Sequence, residues 1–160
     1  MTVNTAAGSR TYIGTTAPIN ESSAASAITS FEADTYSEVG EVEDLGEFGD
    51  EATEVTFTAL GNRRVRKFKG SLNAGNATMT CGDDPEDVGQ QELLMAFDSQ
   101  LDFNFKVTLN DALTISGEPT VQYFRGKIMS KRRNIGTVDN IVRRTFTIGI
   151  NSPIYEVAAT

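Results

Sequence analysis

Phe103-Asn104-Phe105-Lys106-Val107-Thr108-Leu109-Asn110 alternates apolar and polar residues without a break. That is the period-two pattern of a strand with one buried face, and the rest of the chain repeats it. Val55, Phe57 and Ala59 alternate with Glu54, Thr56 and Thr58; Ala77, Met79 and Cys81 alternate with Asn76, Thr78 and Thr80. Near Ile141 to Ile150, Val142, Phe146, Ile148 and Ile150 oppose Thr145 and Thr147. Thr120 to Ser130 reads as a further strand, with Gly126 as a bulge or a point of close backbone approach. An early strand is expected over Tyr36 to Glu43, before the turn Leu45 to Asp50, and short segments at Tyr12-Ile13 and Ile154 to Val157. Leu113 and Ile115 give a short apolar rung, and Lys131 to Gly136 a basic turn.

One stretch departs from this rhythm. Asp83 to Phe97 reads as a helix: Asp84 as N-cap, Pro85 at the first helical position, and Glu86 and Asp87 at the positive end of the helix dipole, with Asp87 able to reach back as in a capping box. Leu93, Phe97 and Leu101, with Leu94 beside them, make the apolar stripe. Gly89 weakens the helix interior, so its place there implies packing against a neighbouring backbone. The architecture expected is α+β, mainly β: two packed antiparallel sheets, as a sandwich or partly closed barrel, flanked by one helix near 84–98. A single domain spans 1–160, with a flexible arm at 1–34, in which Ser22 to Ser30 forms at most a weak helix, and a core at 35–157.

The chain has no His and one Cys, which removes most nucleophilic, imidazole and zinc chemistry; no metal site, cofactor or catalytic residue is expected. The carboxylates of Asp83, Asp84 and Asp87 are suited to acid–base work only in principle, because helix capping already explains them. Cys81 reads as a small buried hydrophobe. No apolar run approaches the roughly 18 residues of a membrane span, and the N-terminus lacks a basic-then-apolar leader, so the chain reads as soluble and made in a cytoplasm. The net charge of -8 is uneven: residues 1–60 carry 11 acidic and 1 basic residue, residues 61–160 carry 11 acidic and 13 basic. An acidic half and a half with basic clusters can pair between copies.

The basic residues concentrate in Gly61 to Gly75, a glycine-bounded stretch containing Arg63, Arg64, Arg66, Lys67 and Lys69 with Val65 and Phe68. It reads as a long loop over 60–75, and loops of that length in a compact domain are uncommon unless they are functional or disordered. The alternatives are a solvated hairpin extension and a nucleic-acid patch of basic residues with one aromatic, the latter disfavoured by the overall negative charge.

The ordered set Tyr12-Ile13-Gly14, Glu38-Val39-Gly40-Glu41-Val42, Leu45-Gly46-Glu47-Phe48-Gly49, Val55 to Leu60, Lys67-Phe68-Lys69-Gly70, Ala74-Gly75, Asp84 to Gln90, Phe124-Arg125-Gly126-Lys127 and Ile148-Gly149-Ile150-Asn151-Ser152 resembles the major tail tube proteins of bacteriophages with long, non-contractile tails. Asn73 departs from the Asp expected before the Ala-Gly pair. The resemblance implies homo-hexamer rings stacked head to tail into a hollow virion tail, assembled in the bacterial host cytoplasm. Its partners would be tape-measure, tail-terminator and distal tail proteins, with viral DNA passing through the lumen without specific binding. It also places the 61–75 segment against an adjacent ring, making Arg63, Arg64, Val65, Arg66, Lys67, Phe68 and Lys69 the inter-subunit contacts. Glu38, Glu41, Glu43, Asp44, Glu47, Asp50, Glu51 and Glu54 are expected to supply an acidic channel lining or a surface complementary to the basic segment. Alternatives are a ring-forming tube of a contractile tail or type VI secretion system, and a monomeric β-rich virion binding module.

Overall fold

The computed structural model describes residues 3–160. In chain order the elements are β1 (Arg10–Ile13), α1 (Ala24–Glu32), β2 (Ser37–Val39), β3 (Val42–Asp44), β4 (Glu51–Ala59), β5 (Asn62–Asn73), β6 (Asn76–Gly82), α2 (Val88–Asp98), β7 (Phe103–Thr108), β8 (Val121–Asn134), β9 (Arg143–Ile150) and β10 (Tyr155–Val157). The alternating strands join one antiparallel sheet in the order β2-β1-β7-β8-β9-β6-β3, with β10 also beside β8; β4 and β5 form a separate two-stranded sheet. The inward residues of β6, β7 and β9 fall where the period-two pattern puts them. Ala77, Met79, Cys81, Phe105, Val107, Phe146 and Ile148 are buried in one core with Phe124 and with Leu93 and Ala96 of α2. Phe105 and Phe124 are directly opposite partners and stack at 5.3 Å.

The two ends of the large sheet, β2 and β3, are separated in sequence only by Gly40 and Glu41, and no ladder joins them. The sheet is therefore curled but not closed. The expected single strand over Tyr36 to Glu43 breaks here because the backbone of Gly40 is taken by another element. Its N–H donates to both carboxylate oxygens of Asp87, at 3.1 and 3.2 Å, and Glu41 adopts a positive φ of 55°. The fully buried Gln90 completes the seam: its Nε2 donates to the carbonyls of Gly40 (3.2 Å) and Gly82 (2.8 Å), and its Oε1 accepts from the Asp84 N–H.

This seam moves the start of the helix. Asp87, not Asp84, is the N-cap, with its side chain accepting from the Gln90 N–H at 2.8 Å. Asp84 instead accepts from the Glu86 N–H in the turn before it. The helix therefore spans Val88–Asp98 rather than 84–98, and its buried face is Gly89, Gln90, Leu93 and Ala96. Phe97 is only partly buried, and Leu101 lies exposed beyond the helix end. Gly89 rides directly on β2: a Cβ there would lie 2.2 Å from the Glu38 carbonyl oxygen.

Much of the expected arm at 1–34 is built into the fold; its first two residues, Met1 and Thr2, lie outside the described residues. β1 pairs with both β2 and β7, and α1 buries Ala27 and Phe31 completely. Phe31 stacks on Tyr123 at 5.4 Å on the outer face of β8, so this strand packs on both sides and a second helix joins the fold. Ser23 caps α1 through its side chain. Asp34 ties the segment down, accepting from the Thr15 N–H and hydroxyl (3.0 and 2.6 Å), the Thr35 N–H (2.9 Å) and Nδ2 of the buried Asn104 (2.7 Å).

Two further expectations change. Lys131 to Asn134 are not a turn but the end of β8, paired through Asn134↔Arg143 with β9. Their charges are accommodated because Lys131 lies 3.7 Å from Asp98, and Arg133 2.8 Å from Asp83. Leu113 and Ile115 form no strand and are exposed.

Gly89→Ala forces its methyl into β2 and is expected to cost about 3 kcal/mol, as overpacking does. Asp87→Ala removes a cap and leaves the Gly40 donor unpaired, at about 2 kcal/mol. Urea denaturation measures both. Burial works to raise the Asp34 pKa, but the hydrogen bonds from Thr15, Asn104 and Thr35 together outweigh it and hold the carboxyl below its ordinary value. A carboxylate depressed in the fold lends stability that is complete at neutral pH and is lost as pH falls through the folded pKa. Asp34→Ala should therefore lower the urea midpoint at pH 7, with the gap to wild type closing below the ordinary aspartate range; a gap independent of pH contradicts the assignment.

Candidate functional site

The segment read as a long loop is the second strand of a hairpin. β4 and β5 pair from Glu51↔Asn73 at the root to Ala59↔Asn62 at the tip, with register shifts near both ends. Val55, Phe57 and Ala59 hold the alternation seen in the sequence, yet the face they form covers nothing. Val55, Phe57 and Phe68 are 48%, 55% and 55% exposed, and the hairpin packs extensively on no other described element. It projects by about 27 Å at the rise of an extended strand. A two-stranded hairpin alone in water is marginally stable at best. The tip adds little: Leu60 and Gly61 form the two-residue turn without positive φ, whereas the favoured tight hairpin turns require it.

The register divides the expected contact residues between two faces. Val55↔Phe68 and Phe57↔Arg66 put Val55, Phe57, Arg66 and Phe68 together. Thr56↔Lys67, Thr58↔Val65 and Glu54↔Lys69 put Val65, Lys67 and Lys69 with Glu54 and the threonines on the other. Val65 and Phe68 therefore cannot anchor the same surface, and Val55 and Phe57, outside the expected contact set, are the apolar neighbours of Phe68. The signal was present in the period-two alternation of residues 54–59, which implies a buried face that the isolated chain does not supply.

The electrostatics single out the same element. Seven bases lie within ion-pair distance of a carboxylate: Arg10, Lys67, Lys127, Lys131, Arg133, Arg143 and Arg144. Lys106 sits over the Tyr12 and Tyr36 rings, and Arg125 donates to the Thr16 and Asp102 carbonyls. Among the described residues, the bases left without such a partner are Arg132 and four on the hairpin: Arg63, Arg64, Arg66 and Lys69. The hairpin's one ion pair, Lys67–Glu54 at 3.0 Å, is exposed and is worth at most about 1 kcal/mol. With five bases and two acids over residues 51–73, the hairpin carries +3 and the rest of the chain -11.

The eight acidic residues are all exposed but do not form one patch. Glu38 on β2 pairs with Arg10 of β1, Glu41 lies in the seam, and Glu43 makes a two-point contact with Arg143 that depresses its pKa, the hydrogen bonds being the largest cause. Asp44 accepts from the Gly46 N–H; Glu47 and Asp50 lie in the β3–β4 connection, and Glu51 and Glu54 on β4 near the hairpin root. Asp83, Asp84 and Asp87 do not converge on a reacting centre: Asp83 holds Arg133 and Arg144, and the other two serve the turn and cap. Cys81 is buried, with its thiol pushed up to about 11 by burial and the nearby Asp83 and Asp87.

No protein-family profile and no curated protein sequence matches the chain. Solved structures do. A chain of the anti-feeding prophage baseplate superposes with a TM-score of 0.71 at 9% identity, over 99% of this chain and 97% of that one. A chain of the sheath/tube terminator of the PVC extracellular contractile injection system gives 0.69 at 12% identity, over 99% of each. The SPP1 tail tube gives 0.60 at 12% identity, over 94% of this chain and 76% of that one. The chain thus has the fold of these tail tube, tube-terminator and baseplate components.

Proposed function

We propose that the protein is a structural subunit of a hollow, tail-like tube, with six copies to a ring and rings stacked head to tail, and that it does no chemistry. The observation that carries this reading is the β4–β5 hairpin, whose apolar face and unpaired charge have no partner among the described residues. Folding leaves a projecting ribbon that needs another surface to cover it, and a chain that is acidic elsewhere offers that surface in its own copies. The shared fold supports the choice of a tube or baseplate component.

In this reading Arg63, Arg64, Arg66, Lys67 and Lys69 steer and register the contact, while Val55, Phe57 and Phe68 supply the burial. Exposed ion pairs are individually too weak to hold a stack, but complementary charge sets orientation and rate of encounter. The net acidity suits a bore for viral DNA, since a basic lining would bind phosphates through counterion release. The acidic set at Glu38–Glu54 serves as channel lining or as the surface facing the basic hairpin. Tape-measure, terminator and distal tail proteins would complete the assembly, located in a virion tail and built in a bacterial cytoplasm. A contractile-type device is the second reading. The near-complete mutual coverage with the prophage baseplate and PVC terminator chains favours it, against 76% of the SPP1 chain.

Amide hydrogen exchange on the isolated subunit should show β4–β5 exchanging far faster than β6 and β9, because local opening exposes nothing that was buried. Reversing Arg63, Arg64 and Arg66 to Glu should yield a folded protein that assembles poorly by light scattering and negative-stain microscopy. Tubes of normal length and yield from that variant would contradict the contact.

A further inference from the structure

The hairpin is electrically graded along its length. Its tip half carries Arg63, Arg64, Arg66 and Lys67, its middle sets Lys69 opposite Glu54, and its root carries Glu51, next to Glu47 and Asp50 in the preceding connection. At the root lies an open groove of about 550 Å³, bounded by Glu47, Phe48, Asp50, Glu51 and Ala74. It adjoins a second hollow floored by Leu72, Ala74, Ile150 and Pro153. No base lines either hollow. The groove is mostly polar, and its apolar part, Phe48 with the buried Ala74, is built on the core: Phe48 packs against the buried Phe124 at 5.3 Å. None of the Glu47, Asp50 and Glu51 carboxylates has a basic partner within the chain, among the described residues.

We propose that this root groove receives the hairpin tip of a second copy, with Arg64 and Arg66 toward Glu47, Asp50 and Glu51, and Phe57 and Phe68 toward Phe48 and the adjoining hollow of Leu72 and Pro153. The inference rests on the tube reading and names the receptor that reading leaves open. A hairpin tip in this groove must come from another copy, because tip and root of one hairpin stand about 27 Å apart along an extended ribbon. Unpaired positive charge sits at one end and unpaired negative charge at the other, so the contact is heterologous. A heterologous contact that does not close on itself propagates as an open stack. One hairpin thus supplies both halves of the junction, and its charge gradient gives the stack its direction.

Charge exchange tests this. Arg64→Glu with Arg66→Glu makes a tip variant; Glu47→Lys with Asp50→Lys makes a root variant; all four changes together make a swapped variant. Circular dichroism melts establish that each is folded, and electron microscopy and sedimentation measure the stacked fraction. Each single-end variant is expected to stack about tenfold less than wild type, and the swapped variant to recover most of that loss, as complementary charge is restored. Mixing the two single-end variants should also recover stacking, since each then finds a complementary partner, and this arm decides the matter if the swapped variant does not fold. Wild-type stacks without recovery in the swapped or mixed samples would overturn the root groove as receptor while leaving the tube reading intact. Absence of stacks from wild type under all conditions would overturn the tube reading itself.

Discussion

The curled sheet depends on two residues that belong to no strand. Gly40 and Glu41 carry the chain from β2 to β3, the two ends of the sheet path, and no ladder bridges them. The N-terminus of α2 does that work instead: Asp87 holds the Gly40 N–H, and Gln90 ties the Gly40 and Gly82 carbonyls together. A buried backbone group left unpaired costs about 1–3 kcal/mol, so the helix turn that satisfies three partly buried groups here stabilises the seam. Gly89 lets the helix approach closely enough to do so. The core of β6, β7, β8 and β9 then packs against a helix whose position is already determined.

Against that well-tied body, the hairpin stands out by contrast. On the body, most bases have a partner, and at the basic end of β8 Lys131 and Arg133 lie against Asp98 and Asp83, whereas among the described residues four of the hairpin's five bases are unpaired. Core residues such as Phe105, Phe124 and Phe146 are fully buried, whereas Phe57 and Phe68 remain more than half exposed. Both differences follow from one feature of the register: the body's strands share a common core, whereas the β4–β5 ribbon has no layer laid over its Val55, Phe57 and Phe68 face.

The parts of this architecture that could be read from residue order are those governed by local pattern. The alternation in β6, β7 and β9 marks which residues enter the core, and Gly89 in a helical stretch announces a close backbone contact. What escaped was set by distant partners. Nothing local marks the break at Gly40, because it is made by Asp87, 47 residues away. Asp84 looks like the cap because Pro85 follows it, yet the seam requires the cap at Asp87. β5 hides as a loop because its five bases mask a period-two pattern that no burial reinforces. α1 hides because an Ala- and Ser-rich stretch signals little until Phe31 finds Tyr123. For the site, the basic segment and the apolar face of residues 55–59 were both legible, but their union on one ribbon, and the separation of Val65 from Phe68, required the register.

The central claim is that the β4–β5 ribbon is completed by an identical neighbour. A cryo-electron microscopy reconstruction of the purified, assembled protein tests it most directly. The account predicts stacked rings in which Val55, Phe57 and Phe68 of each copy are buried against the next. Rings or tubes in which that face still borders solvent, or a protein that stays monomeric at high concentration, would contradict it.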